Sequence, residues 1–92
     1  MGEFDGKSVI VTGGALGIGG AASEAFAHAG ANVTILDWNG EAGDATVDRI
    51  ASAGGTAQFV QADAGTSEGC RATVDAAVEA YGGVDVLFSN VG

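Results

Sequence analysis

The stretch TGGALGIG at residues 12–19 decides the fold of this chain. It follows the β-branched run Ser8–Thr12 and precedes a periodic pattern that predicts an amphipathic helix. A glycine-rich turn between a strand and a helix lets the backbone approach an anion closely and directs the free N–H groups of the helix toward it. An isolated turn of this kind can also be a flexible loop, but its place between strand and helix favours a phosphate-binding loop.

Three further runs, Asn32–Asp37, Ala57–Ala62 and Val84–Ser89, have the composition of strands, and a helical pattern fills each gap. This alternation predicts an α/β domain with a parallel sheet and right-handed crossovers. The first, second and fourth runs are apolar, which predicts strands covered on both faces. The third run is more polar and is predicted at a sheet edge. No linker interrupts the chain, so residues 1–92 are predicted to form a single domain.

Each helix is predicted to bury one stripe of apolar side chains. The stripes comprise Ile18, Ala22, Ala25, Phe26 and Ala29 in the first helix, Val47, Ile50 and Ala51 in the second, and Cys70, Val74, Ala77, Val78 and Tyr81 in the third. Gly30 is expected to end the first helix and Gly82 the third, whose start is expected to be capped by Thr66 or Ser67.

The charge balance restricts the possible partners, since 3 basic residues face 12 acidic ones for a net charge of −9. Nucleic acids and anionic membranes require a basic surface, so neither is an expected partner. A phosphate ligand would have to be held by backbone N–H groups and the helix dipole rather than by side chains. The single cysteine excludes an internal disulfide and fits a cytoplasmic location. The apolar runs are too short to cross a bilayer.

Asp37 ends the second strand-like run, 18 residues after Gly19. A carboxylate at this place can accept hydrogen bonds from the hydroxyls of an adenosine ribose, and it would repel a 2′-phosphate. No lysine or arginine lies in the glycine loop or next to Asp37 in sequence. Asp37 therefore predicts a preference for NAD(H) over NADP(H), the alternative being an ordinary turn residue at a strand end.

Two other positions are candidates for contact with the adenine ring. Asp63, followed by Ala64, ends the third run and could reach the adenine amino group, although a helix-capping role before Thr66 fits the spacing nearly as well. Trp38 is expected either at the rim of the adenine pocket or simply exposed in a loop. No histidine or cysteine accompanies Asp37 and Asp63, so no metal site is predicted.

Taken together, these motifs resemble those of the short-chain dehydrogenases/reductases. TGGALGIG is similar to the family's TGxxxGIG, Asp37 to its NAD-selecting acid, Asp63 to its adenine-contacting aspartate, and Ser89-Asn90-Val91-Gly92 to its NNAG motif. The resemblance implies a Rossmann-type sheet of order 3-2-1-4 in three α/β/α layers. It also implies hydride transfer between a nicotinamide cofactor and an alcohol or carbonyl, with a cofactor site formed by the loop residues Gly13, Ala15, Leu16, Gly17, Ile18 and Gly19, by Asp37, Trp38, Asp63 and Ala64, and by Asn90, Val91 and Gly92.

The resemblance also has limits. By analogy Asn90 would steady the sheet centre and Gly92 would leave room for the cofactor, whereas Val91 replaces the family's alanine. The family's catalytic serine and Tyr-x-x-x-Lys pair have no counterpart here, because Tyr81 is followed four places on by Asp85. This chain is therefore predicted to be inactive alone, whether it is a piece of an enzyme or a non-catalytic binding or self-assembling module. The bare edge of the fourth strand predicts a homo-oligomer.

Overall fold

A computed structural model of the chain describes residues 2–13 and 15–90. Seven elements alternate between strand and helix along this part of the chain. They are β1 (Ser8–Thr12), α1 (Gly17–His28), β2 (Asn32–Asp37), α2 (Gly40–Ser52), β3 (Thr56–Gln61), α3 (Ser67–Tyr81) and β4 (Val86–Ser89). The predicted first and second strands coincide with β1 and β2, whereas β3 starts one residue earlier and β4 two residues later than predicted.

The four strands form one parallel sheet in the order β3-β2-β1-β4, as the resemblance implied. The order reverses at β1, whose neighbours are β2 on one side and β4 on the other. Helices α1 and α2 pack together on one face, and α3 crosses β1, β2 and β3 on the other face. The carboxyl ends of β1 and β4, where the order reverses, border the crevice in which α/β sheets bind their ligands.

The core lies between the sheet and the α1–α2 layer. Every residue of β1 is buried, and so are the four central residues of β2. Alternate strand residues, among them Val9 and Ile35, meet Ala27 and Ile50 of the helices. At the base of this layer Phe26 makes edge-on contacts with the rings of Phe4 and Phe88. This packing gives the glycine loop a rigid base, because it extends directly from the buried strand β1.

The predicted stripe of α1 is wrong in phase. Ile18 is 73% exposed, Ala25 is also exposed, and Ala22, Phe26 and Ala29 are only partly buried. The buried residues of α1 are instead Gly19, Gly20, Ser23 and Ala27. The small residues face the sheet because they allow the helix backbone to come close to it, so the positions that carry the contact are not the most hydrophobic ones.

In α2 the buried residues are Gly43, Thr46 and Ile50, and the prediction was wrong only for Ala51, which is exposed, while Val47 is partly buried. Gly43 is required to be small, because a Cβ atom there would overlap the ring of Phe59 on β3. The absent side chain therefore lets α2 lie directly on the edge strand.

The predicted stripe of α3 and the two-sided burial of β4 are corrected by the structure. In α3, Ala77 is buried as predicted, together with Gly69 and Thr73, whereas Cys70, Val74 and Val78 are exposed and Tyr81 is partly buried. In β4 only Val86 and Phe88 face the core. No described element lies beyond β4 or over this side of α3, so apolar residues that the pattern assigned to an interior remain uncovered. Thr66 caps α3 and Gly82 ends it with a φ of 84°, as predicted.

Candidate nucleotide-binding site

The glycine loop leaves β1 at the carboxyl edge of the sheet. Gly13 has a φ of 65° and donates its N–H to the carbonyl of Leu36 at 2.7 Å, so the loop is attached to the neighbouring strand β2. Gly17, at the start of α1, has a φ of 56°. Both conformations are left-handed, and residues with a Cβ adopt them rarely. The two glycines therefore allow the two bends by which the chain reverses from strand to helix.

Gly19 is needed for a different reason, namely close approach. A Cβ atom at this position would overlap the carbonyl oxygen of Gly13 and would lie 2.9 Å from Nδ2 of Asn90. The same Asn90 amide lies 3.5 Å from the Gly13 oxygen, to which it donates. The first turn of α1 thus rests directly on the start of the loop, and the end of β4 reaches the same point.

The start of α1 differs from the starts of the other two helices. Asn39 caps α2 by accepting the Ala42 N–H at 3.1 Å, and Thr66 caps α3 by accepting the Gly69 N–H at 3.0 Å. In α1, no described side chain caps the helix and no acidic residue occupies its first turn. A helix start with free N–H groups attracts anions through both its donors and its dipole. Among the described residues, α1 is therefore the helix whose start has no side-chain cap, and it lies beside the glycine loop.

Asp37 connects the glycine loop to the end of β2. Its Oδ2 atom accepts the N–H of Ala15 at 3.2 Å, and its Oδ1 atom accepts the N–H of Asn39 at 3.0 Å. Its backbone carbonyl accepts the N–H of Ala62 at 3.1 Å, so the end of β3 is held at the same place. A carboxylate offers about four lone-pair positions. Asp37 therefore still has acceptor capacity for ribose hydroxyls while it holds the loop.

The end of β4 lies against the end of β1 on the side away from Asp37. Asn90 donates its backbone N–H to the carbonyl of Thr12 at 3.1 Å, and the hydroxyls of Thr12 and Ser89 are 3.3 Å apart. These contacts place Asn90 against the end of β1, and its sheet-steadying role stays a prediction. The predicted site residues Val91 and Gly92 lie outside the described residues, as does Gly14 of the loop motif.

The other predicted site residues lie around this centre. Leu16 is 59%, Ile18 73% and Trp38 76% exposed. Asp63 is exposed and accepts the N–H of Gly65 at 2.7 Å, so it forms a turn before α3 and leaves the capping of the helix to Thr66. Ala64 lines a cleft of about 160 Å³ between α3 and the sheet, together with Thr12 and Ser89. The structure thus joins Gly13, Ala15, Gly19, Asp37 and Asn90 through direct contacts, and it shows no such contact for Asp63 or Trp38 among its described residues.

One residue of this region was missed by the sequence analysis. The hydroxyl of Thr46, buried in α2, lies 2.9 Å from the carbonyl oxygen of Ala15 in the loop. Arg49 donates to the same hydroxyl at 3.0 Å. The only signal in the sequence was a threonine in helical phase with Gly43 and Ile50, which indicates a buried polar group without naming its partner.

Of three residues that could suggest catalysis, Tyr81 and His28 lie away from the site, whereas Cys70 lines the same cleft as Ala64. Burial raises the pKa of Tyr81, whereas a tyrosine that serves as an acid–base catalyst near neutral pH needs a lowered pKa. His28 lies at the carboxyl end of α1, and Cys70 is exposed on α3. Within residues 2–13 and 15–90, no three histidine, cysteine or acidic residues form a group that could hold a metal ion, and no helix has the length and apolarity of a membrane span.

Comparison with known proteins gives consistent matches over nearly all of the chain. The 2,5-dichloro-2,5-cyclohexadiene-1,4-diol dehydrogenase of Sphingobium indicum is 42% identical over 90 residues, which cover 98% of this chain and 35% of the relative. The (+)-cis,trans-nepetalactol synthase NEPS1 of Nepeta racemosa is also 42% identical, over 98% of this chain and 32% of the relative. The crystal structure of a hydroxysteroid dehydrogenase from Escherichia coli superposes with a TM-score of 0.93 at 38% identity, covering 97% of this chain and 38% of that one.

The chain therefore spans about a third of the length of the curated relatives that it matches. The family described as short chain dehydrogenase matches residues 7–92. Its members use nicotinamide cofactors, and the glycine loop, the sheet order and the length of the match all agree with the resemblance that the motifs indicated. The chain belongs to the short-chain dehydrogenase family.

Proposed function

We propose that this chain is the NAD(H)-binding N-terminal portion of an oxidoreductase that transfers a hydride between the nicotinamide cofactor and an alcohol or carbonyl. The observation that carries the proposal is the contact of Gly19 with the Gly13 carbonyl, which brings the uncapped start of α1 onto the glycine loop. Asp37 holds the same loop from β2.

The pyrophosphate of the cofactor would be held by backbone groups. The loop residues Gly13, Ala15, Leu16, Gly17, Ile18 and Gly19 surround the start of α1, where free N–H groups and the positive end of the helix dipole favour an anion. This arrangement suits a chain with a net charge of −9, because it needs no basic side chain at the phosphates. The exposed apolar side chains of Leu16 and Ile18 leave surface for the ligand beside the loop.

Asp37 would select NAD(H) against NADP(H). Its carboxylate lies at the end of β2 beside Ala15, where it can accept hydrogen bonds from the ribose hydroxyls. A 2′-phosphate would meet the negative charge of this carboxylate at close range. Asp63, Ala64 and Trp38 would border the adenine ring. Asn90, Val91 and Gly92 would border the nicotinamide ring.

The hydride transfer itself would need groups that this chain does not carry. When bound, the nicotinamide supplies the hydride chemistry, and an acid–base group is still required for the alcohol oxygen. Tyr81 has no lysine four residues on, and its raised pKa disfavours the role. The names of the relatives differ in substrate and reaction, so no substrate is proposed. The alternative function is a non-catalytic nucleotide-binding or self-assembling module, and a coding sequence that continues beyond Gly92 into a Tyr-x-x-x-Lys motif would argue against it.

We further propose that the chain is cytoplasmic and associates with copies of itself through the β4 edge. Leu87 on β4 is 62% exposed, and Val74 and Val78 on α3 are 43% and 50% exposed. An unpaired strand edge beside apolar side chains favours association.

Isothermal titration calorimetry with NADH and NADPH tests the proposal. We expect weak binding of NADH, because only the adenosine and pyrophosphate part of the site is formed by the described residues. The expected order is NADH tighter than NADPH by more than about tenfold, which equals about 1.4 kcal/mol. Folded protein that gives no heat at millimolar NADH would contradict cofactor binding, and equal affinities would contradict the role of Asp37.

A further inference from the structure

Ala15 of the glycine loop is held by side chains of two different elements. Its N–H donates to Oδ2 of Asp37 on β2 at 3.2 Å, and its carbonyl oxygen lies 2.9 Å from Oγ1 of Thr46 on α2. Ala15 is 1% exposed and Thr46 is fully buried, so water does not compete for these groups. The loop residue that precedes the start of α1 therefore has both of its backbone polar groups fixed by side chains.

The hydroxyl of Thr46 has more than one neighbour. Its single hydrogen can be donated to Ala15 or to the carbonyl of Ala42, which lies 3.0 Å away within α2. Arg49 donates Nη2–H to the hydroxyl at 3.0 Å, and its Nε lies 3.5 Å from the Glu24 carboxylate on α1. Because the hydroxyl already accepts from Arg49, its own hydrogen is directed toward the carbonyls. The bond to Ala42 is local to the helix, whereas the bond to Ala15 joins residues 31 positions apart.

We propose that Thr46 is a positioning residue for cofactor binding, because its bond to the Ala15 carbonyl sets the orientation of the Ala15–Leu16 peptide and hence of the Leu16 N–H and the N–H groups that follow it toward the pyrophosphate. The inference rests on the proposed NAD(H) binding. Asp37 holds the Ala15 N–H, which belongs to the preceding peptide group, so without the Thr46 hydroxyl the Ala15–Leu16 peptide would lose its side-chain partner and could rotate. Cofactor binding would then have to fix the orientation that Thr46 otherwise sets in the free protein. The entropy lost in fixing it would lower the affinity for the cofactor.

The experiment compares Thr46→Val, which removes the hydroxyl at nearly constant shape, with Thr46→Ser, which keeps it. NADH and adenosine are the probes, and calorimetry is run well below the unfolding temperature of each variant. We expect Thr46→Val to bind NADH about tenfold more weakly, equivalent to about 1.4 kcal/mol. The affinity for adenosine, which has no pyrophosphate, should fall much less. The affinity of Thr46→Ser for NADH should stay within about threefold of that of the unmodified chain.

Thr73→Val is the matched control. Thr73 is 1% exposed on α3, and its hydroxyl donates to the carbonyl of Gly69 at 2.8 Å, the same helical bond that Thr46 makes to Ala42. Its partner lies on the opposite face of the sheet from α2. Thr73→Val should therefore lower the unfolding temperature to a similar degree and leave NADH affinity unchanged.

The outcomes separate this inference from the proposed function. Failure of the unmodified chain to bind NADH overturns both. If the unmodified chain binds and Thr46→Val binds equally well, or if Thr73→Val loses as much affinity, the positioning role is wrong and the proposed function stands. Should the valine variant not fold, Thr46→Ala takes its place: a tenfold loss of NADH affinity relative to Thr46→Ser would support the inference, and equal affinity of the two variants would overturn it.

Discussion

Replacement of Gly19 by alanine tests the contact on which the site depends. The new Cβ atom would overlap the carbonyl oxygen of Gly13 and approach Nδ2 of Asn90 to 2.9 Å. The first neighbour is backbone, which cannot rotate away as a flexible side chain could. Either α1 moves off the loop or the loop moves off β1, and both changes disturb the surface that would receive the pyrophosphate.

The size of the effect follows from two opposing terms. Overpacking a tight contact costs about 1–3 kcal/mol, and alanine in place of glycine within a helix returns about 1 kcal/mol. We expect a net loss of about 1 kcal/mol in the free energy of unfolding, or roughly 4–8 °C in Tm for a domain of this size. Binding should suffer more, because displacement of the loop affects several donors at once, and a loss of more than about tenfold in NADH affinity is expected.

Thermal unfolding followed by circular dichroism, together with NADH calorimetry, measures both quantities. Gly83→Ala is the control, since no described heavy atom lies within 4 Å of a Cβ built there and the residue lies outside the helices and strands. This variant should keep the unfolding temperature and the affinity. A Gly19→Ala variant with unchanged NADH affinity would refute the argument that close approach of α1 to the loop forms the site.

Three further predictions follow from the same structure. Asp37→Ala should narrow the difference between NADH and NADPH affinity, and it should also weaken NADH because the Ala15 N–H loses its acceptor; a variant with the full preference intact would contradict the assignment. Light scattering at tens of micromolar protein should give a mass of at least twice 8.9 kDa, and a cooperative transition at the single-chain mass would show that the β4 edge is stable when bare. Burial raises the pKa of Tyr81 above 10.0, so the contribution of Tyr81 to stability is complete below that pH and is lost as the pH rises further. Tyr81→Phe should therefore reduce the fall in Tm between neutral and strongly alkaline pH. An unchanged fall in Tm would contradict this prediction.

Much of the fold could be predicted because local and global signals agree. The β-branched runs and the glycines between them gave the order of elements, and β1 and β2 matched their predicted bounds. The glycine loop was recognisable because its requirements are local: two left-handed bends at Gly13 and Gly17, and a close contact at Gly19.

The buried faces of the helices were harder to predict, because the residues that contact the sheet are not always the most hydrophobic ones. In α1 the side chains nearest the sheet are small, so Gly19, Ser23 and Ala27 are buried while Ile18 is exposed. In α3 the apolar pattern predicts an interior face, but Val74 and Val78 are 43% and 50% exposed among the described residues. An apolar pattern shows that a helix face could be buried. Whether that face is covered depends on the other elements that pack against it.

The contacts within the site depend on tertiary structure in the same way. The sequence placed Asp37 at a strand end, but its bonds to Ala15 and Asn39 arise only when the loop folds back over β2. Thr46 lies 31 residues from Ala15, and no motif connects the two. Such polar bonds depend on atomic positions that periodicity does not encode.

The central claim is that a dinucleotide binds with its pyrophosphate at the start of α1. The most direct test is an NMR titration of ¹⁵N-labelled protein with NADH. The account predicts that the largest amide shifts occur at Gly17, Ile18 and Gly19, with smaller shifts around Asp37. A second cavity, of about 230 Å³, lies at the carboxyl ends of α1 and α2 beside His28 and Gly54. Shifts centred on that cavity, or no shifts at millimolar NADH, would contradict the account.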